Sequence, residues 1–204
     1  MPRNKEVSQQ MRAESRSALL DAGRKLFAER GFAACKVADI AQKAGMSQGN
    51  VYWYFSSKEK LLTAILADGF ESLAEIMREA DGQAGSALEK LEILFQRYLE
   101  FGRAGSEFVT ILMTLLAQGG MKRLLELGFD TVQIGMGYHQ SVGTILAQGQ
   151  REGVVTEQID PNQLSMFFFA FFNGLMFTYG NEWLDLSQEH LRGAVFRLLG
   201  IETR

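Results

Sequence analysis

Apolar residues recur along this chain at intervals of three and four, the spacing that lines one face of an α-helix. No alternating run of strand type is bounded by turns, and proline stands only at positions 2 and 161, so an all-α fold is expected. Between about residues 12 and 30, Ala18, Leu19, Ala22, Leu26 and Phe27 share a face, and Gly31 offers a left-handed cap. Two short helices follow, at about 37–44 and 48–54, divided at Gly45. Ser56 with Glu59 three residues later reads as a capping box. It would open a long fourth helix through Leu61, Leu62, Ile65, Leu66, Phe70 and Leu73.

Past Gly82 and Gly85 the pattern predicts helices near 86–102, 106–118, 121–128, 130–152, 161–180 and 187–199. Their starts are Ser86, Ser106, Asp130, Asp160 before Pro161, and Ser187; glycines such as Gly105, Gly119, Gly120, Gly128 and Gly153 stop them. Two segments are unusual. Residues 161–181 contain no charge and are dense in phenylalanine, a length that could span a bilayer, yet polar residues dilute the run and no Lys or Arg cluster flanks it. Burial on several sides, against the protein's own body and a partner, is the expectation. The 130–152 helix carries Gly135, Gly137, Gly143 and Gly149, each costing about 0.8 to 1 kcal/mol relative to Ala, so close packing or space for a ligand should explain them.

Chemistry concentrates in residues 37–56, VADIAQKAGMSQGNVYWYFS. A helix-turn-helix needs a small residue at the helix crossing, a turn glycine with positive φ, and a branched apolar residue on the inner face of its second helix. Ala41, Gly45 and Val51 stand at those places, with Ile40 and Ala44 completing the inner face. Ser47 would cap the second helix, whose other face presents Gln48, Gly49, Asn50, Tyr52 and Trp53, groups suited to base edges and phosphates. Four consecutive aromatics, Tyr52 to Phe55, cannot all be buried on one helix face.

The stretch GFAACKVADIAQKAGMSQGNVYWYFSSKEKLL resembles the amino-terminal signature of TetR-family transcriptional regulators, over about residues 15–66. The resemblance implies an all-α homodimer: a helix-turn-helix DNA-binding head, residues 1–60 with a basic arm, joined by a long helix to a ligand-binding and dimerisation domain, residues 61–204. It implies that Tyr52 meets the DNA backbone and a thymine methyl, that Tyr54 and Lys58 reach phosphates, and that Gln48, Gly49 and Asn50 begin the base-reading surface. Asn50 stands where the family commonly has Thr and Trp53 where it has His, so the operator should be this protein's own. Cys35 and Lys36 replace the usual hydroxyl pair before the second helix, which removes that cap and leaves Lys36 either to supply a charge to DNA or to stand solvated. The arm, with Arg3, Lys5 and Arg12, reads as a disordered start rather than a minor-groove reader.

A net charge of −3 would argue against a nucleic-acid partner if it were evenly spread. Residues 1–60 instead hold eleven Lys or Arg against six acids, a balance of +5, while the remaining 144 hold ten against eighteen, a balance of −8. The acidic part contains twelve of the fifteen phenylalanines and few charges placed to pair a polar ligand. A hydrophobic or amphipathic effector is therefore expected, in a pocket lined by Phe108, Leu112, Met113, Leu116, Phe129, Met136, His139, Phe169, Asn173 and Met176, near an entrance with Glu100, Arg103 and Glu107. Phe168, Phe171, Phe172, Leu175, Leu191, Val195 and Leu198 are the expected dimer contacts. One cysteine makes no internal disulfide and the amino terminus has no apolar signal core, so the cytoplasm, with no membrane partner, is the expected setting. Two histidines, the absence of zinc spacing, serine elbow or phosphate loop, and a GMGYHQ lacking a third glycine argue against an enzyme and against any cofactor or metal. A purely structural helical protein is the alternative, and it leaves the exposed aromatic run and the +5 head unexplained.

Overall fold

The computed structural model describes residues 3–180 and 182–201. Among them are α1 (Arg3–Arg30), α2 (Val37–Lys43), α3 (Gln48–Tyr54), α4 (Lys58–Gly82), α5 (Ala87–Ala104), α6 (Ser106–Glu126), α7 (Thr131–Arg151), α8 (Pro161–Tyr179), a short 3-10 turn (Glu182–Asp185) and α9 (Gln188–Leu198), with no strand. Four of the helix starts read from sequence hold because a side chain serves them. Ser86 accepts from Glu89 N–H, Asp130 from Val132 and Gln133, Asp160 from Asn162 and Gln163 ahead of Pro161, and Ser187 from His190.

Two starts differ from expectation. Helix α4 begins one residue later than the Ser56 reading, with Ser57 Oγ accepting from Lys60 N–H at 3.2 Å. Helix α1 begins at Arg3, so residues 3–12 are helical rather than the disordered start expected. The side chains of Arg3 and Lys5 lie outside the described part, as does Asn181 at the end of the uncharged run. The break expected at Gly119 and Gly120 is present as a kink inside α6, where Gly120 takes φ 61 and ψ −164.

Helix α6, not the 161–181 segment, is the one described helix long and apolar enough to cross a membrane. Its unbroken part before Gly120 is only about 14 residues, or roughly 21 Å, short of a bilayer's hydrocarbon thickness.

The chain divides into two compact units. The first comprises residues through Gly69 together with Glu107–Gly128. Its core joins Leu19, Ala22, Leu26 and Phe27 of α1 to Ile40, Ala41, Val51, Phe55, Leu61, Leu62, Ile65 and Leu66, all buried. Gly23 lets α1 approach α4, since a Cβ there would meet Leu61 and Ile65 at 3.0 to 3.1 Å. In the same unit the Phe108 ring lies over Gly69, where a Cβ would clash outright.

The second unit comprises Phe70–Ser106 and Phe129–Arg204. Helices α5, α7, α8 and α9 supply its core, with Leu91, Phe95, Tyr98, Ile145, Phe168, Phe172, Trp183 and Phe196 almost completely buried. Close packing explains two of the four glycines of α7. A Cβ on Gly143 would strike Asn162, and one on Gly149 would strike Val155 and Ala87, so those two serve packing; Gly135 and Gly137 face open space.

Candidate functional site

The turn between α2 and α3 is closed from both sides. Gly45, at φ 68, donates to Gln42 O at 3.1 Å while Met46 N–H reaches Ala41 O at 2.8 Å, the paired bonds of a Schellman cap that a Cβ at the positive-φ position would strain. Ser47 Oγ then accepts from Asn50 N–H at 3.2 Å and starts α3. Val51 turns inward at 2% exposure, while Tyr52 and Trp53 remain 51% and 64% exposed, and Gln48, Gly49 and Asn50 are exposed with them. Tyr54 is half-buried, and Phe55 points into the core as its N–H closes α3 on Val51 O at 2.8 Å. The aromatic run thus divides into two exposed rings, one intermediate and one buried.

At the start of α2 the missing hydroxyl cap is replaced from the far side. Asp39 Oδ2 accepts from Lys36 N–H at 3.1 Å, the reciprocal half of a capping box. The signal was present as an acid three residues after Lys36, and the sequence reading did not use it. Cys35 is buried at 1% exposure, and burial raises its thiol pKa. Lys36 itself is exposed.

Lys58 is placed differently from a free phosphate ligand. Its ammonium donates to Phe32 O at 2.7 Å and Cys35 O at 2.8 Å, lies 3.5 Å from Ala33 O, and sits 4.3 Å from the Phe32 ring centroid. It therefore ties the first turn of α4 to the loop that presents Lys36. On the amino-terminal side Arg12 lies over the Trp53 ring and Arg16 over Phe55.

In the second unit the expected pocket and interface residues are distributed unequally. His139 Nδ1 lies 3.0 Å from the hydroxyl of Ser165, which is fully buried and donates to Asn162 O at 2.7 Å. Because that hydroxyl proton is committed, Ser165 accepts from His139, which makes Nδ1 the protonated nitrogen. Phe169 meets the His139 ring edge-on at 5.0 Å and is 8% exposed; Phe129 packs on Phe70, Met176 lines the core, and Asn173 and Met136 are exposed. Phe108, Leu112, Met113 and Leu116 belong to the first unit, Phe108 buried and the other three half-buried. Ser165 was not among the expected residues, and nothing in the pattern of α8 distinguished it.

The interface expectation needs correction. Phe168, Phe172 and Val195 have no exposure and Leu191 only 5%, because they fill the protomer's own core, so they cannot face a partner. Phe171 and Leu175 are half-buried and Leu198 is 42% exposed. The outward face of α8 instead carries Met166, Phe167 and Phe177, at 56%, 44% and 73% exposure. Glu100, expected near an entrance, is paired with Arg97 at 3.0 Å. Among the described residues no cluster of His, Cys, Asp or Glu could hold a metal ion.

This arrangement has counterparts among known proteins. Residues 19–65 match the family described as bacterial regulatory proteins, tetR family. The HTH-type transcriptional repressor KstR2 of Rhodococcus jostii is 32% identical over 149 residues, covering 71% of this chain and 70% of that protein. The fatty acid metabolism regulator protein of Bacillus subtilis is 27% identical over 142 residues, 70% of this chain and 71% of its own. The crystal structure of the transcriptional regulator FadR from Bacillus subtilis in complex with stearoyl-CoA superposes with a TM-score of 0.70 at 23% identity, covering 91% of this chain and 99% of the other. With its helix-turn-helix closed by Gly45 and Ser47 and a relative of that identity matched along most of its length, the chain belongs to the TetR family of bacterial regulatory proteins.

Proposed function

We propose that this protein is a ligand-responsive repressor that binds a palindromic operator as a homodimer in the cytoplasm, without enzymatic activity, and is released by a hydrophobic or amphipathic effector of the fatty-acyl type. The observation that carries the DNA-binding part is the division of α3, with Val51 buried and Gln48, Gly49, Asn50, Tyr52 and Trp53 exposed on a helix capped at both ends. Two such helices spaced about 34 to 36 Å apart would enter successive major grooves on one face of the duplex. Tyr54, Lys36 and Lys58 would flank them, Lys58 by holding the loop before α2. Phe171, Leu175 and Leu198, with the exposed Met166, Phe167 and Phe177, are the proposed partner-facing surface.

The effector class is supported by the uncharged interiors of α7 and α8 and by the open space beside Gly135 and Gly137. A Bacillus subtilis regulator of the same fold is known with stearoyl-CoA bound. The proposed effector-facing groups are Phe129, Met136, His139, Phe169, Asn173 and Met176 of the second unit. The test selects duplexes with the purified protein and measures their binding by fluorescence anisotropy. Acyl-CoA thioesters should release the DNA in a titration, and release only by small polar metabolites would overturn the effector reading. Tyr52→Ala should cost about 1 to 3 kcal/mol of binding per half-site while the dimer persists in sedimentation, and unchanged affinity would remove Tyr52 from the interface.

A further inference from the structure

Three polar rings pack around Phe169 in the second unit. The centroids of Tyr98, Tyr138 and His139 lie 6.1, 6.4 and 5.0 Å from its own. Two of the three have committed their protons: Tyr138 donates to Phe70 O at 2.7 Å, and His139 Nδ1 donates to Ser165. Tyr98 differs. It is 3% exposed, and its ring is enclosed by those of Phe101, Phe168, Phe169 and Phe172, the last with its centroid 4.6 Å away. Among the described residues its hydroxyl makes no hydrogen bond, yet no completely enclosed side-chain nitrogen or oxygen is left without a partner. The hydroxyl therefore opens on space that a group the size of water can reach. An uncompensated hydroxyl in apolar surroundings is costly, so this one favours an acceptor there. Burial, with a smaller contribution from Tyr138, raises its pKa above the ordinary 10, which keeps it a donor at physiological pH.

We propose that the Tyr98 hydroxyl is a donor by which this protein recognises its effector, and that the atom it meets is an uncharged carbonyl oxygen. Charge selects the class of acceptor. Among the described residues no charged side chain is buried, and Arg78, Arg97 and Arg192 are already paired with Glu71, Glu79 and Glu92. A carboxylate brought to Tyr98 would lose its hydration against one hydroxyl and four phenylalanine rings, whereas the carbonyl of a thioester or ester needs only that one bond. Hydrocarbon on either side of the carbonyl lies against the same rings. The contact rests on the reading of the body as an effector-binding domain and deepens it: Tyr98 adds a polar contact fixed in the interior, and it separates a neutral acyl derivative from the free acid.

The full-length protein and its Tyr98→Phe and Tyr138→Phe variants test this by release of the selected operator, measured by fluorescence anisotropy, and by thermal melting. The probes are palmitoyl-CoA, the hexadecyl thioether of CoA, which lacks only the carbonyl oxygen, and palmitate, each below its micelle concentration. Palmitoyl-CoA should release the wild type at about tenfold lower concentration than the thioether, the difference that one hydrogen bond in apolar surroundings makes. Tyr98→Phe should respond equally to both and melt no lower than the wild type, because it removes a hydroxyl that no described residue partners. Tyr138→Phe should melt lower, having lost its bond to Phe70 O, and keep the preference for the carbonyl. A wild type that does not discriminate between the two CoA probes, or a Tyr98→Phe protein that still does, overturns the carbonyl contact. A Tyr98→Phe protein that melts lower and loses response to both CoA probes by the same factor overturns it too, leaving Tyr98 a packing residue. Release by palmitate at a lower concentration than by palmitoyl-CoA overturns the uncharged class. A wild type that binds the operator and is released by none of the three overturns the fatty-acyl reading and the contact together.

Discussion

Helices α3 and α8 both carry runs of aromatic residues, and they sort them by different rules. In α3, Val51 and Trp53 differ in type, and their exposures of 2% and 64% follow from that difference together with the helical turn. In α8, Phe167 and Phe168 are identical in chemistry, yet one is 44% exposed and the other is not exposed at all. The head places its function on the outside of a scaffold whose inside is apolar, so polarity marks the site. The second unit uses the same residue types for its core and for any apolar ligand or partner surface, so only packing geometry separates the roles.

The largest effects should come from breaking that second kind of sorting. Phe172 is fully buried, with Phe95, Tyr98, Phe168, Phe171 and Trp183 ring centroids within about 6 Å of its own. Phe172→Ala should therefore cost about 3 to 5 kcal/mol in chemical denaturation, the removal of a well-packed ring plus the cavity it leaves. Phe167→Ala, on the same helix, should leave protomer packing nearly intact and weaken self-association in sedimentation instead. Similar losses of stability from both substitutions would erase the distinction drawn between the two faces of α8.

An effect of intermediate size should separate charge from architecture in the head. Lys58→Met removes the ammonium that bridges Phe32 O and Cys35 O, and charged hydrogen bonds of this sort contribute about 1.5 to 3 kcal/mol. The thermal midpoint should fall, and operator affinity should fall with it, because the loop before α2 loses its tie. Lys58→Met with wild-type melting and a reduced salt slope would show instead a lysine that serves phosphate directly.

The same contrast explains what was legible beforehand. Gly45 and Ser47 act through bonds within five residues of themselves, so their positions could be read from local spacing, as could Asp130, Asp160 and Ser187. The partners of Lys58 lie 23 to 26 residues away, and no local pattern announces them. The interface reading of Phe168, Phe172, Leu191 and Val195 failed for a related reason. Periodicity finds the apolar faces of a helix that is apolar nearly all round, and it cannot tell which face meets the protein's own core. Arg12 was legible as a charge and illegible as a neighbour of Trp53, because that proximity depends on α1 continuing as a helix through residues assigned to a loose arm.

The smallest effect concerns Ser165, the one buried non-aromatic polar side chain among the described residues of the second unit's core. Ser165 donates its proton to Asn162 O and accepts from His139 Nδ1, a bond that neutral and protonated imidazole can both make. Burial then decides, and it disfavours the charged ring, lowering the His139 pKa from its ordinary 6.5. Between the lowered value and 6.5 the unfolded chain binds more protons at this position than the folded one, so His139's contribution is complete above pH 6.5 and declines as the pH drops below it. Denaturation curves collected from pH 7 downward should show this decline in the wild type and a shallower one in His139→Phe. NMR titration of the His139 ring should give a midpoint below 6.5 in the folded protein. A midpoint at or above that value would mean that the ring faces water or an anion, and would place this part of α7 with the exposed, charge-sorted surfaces of the head rather than with the apolar interior of the body.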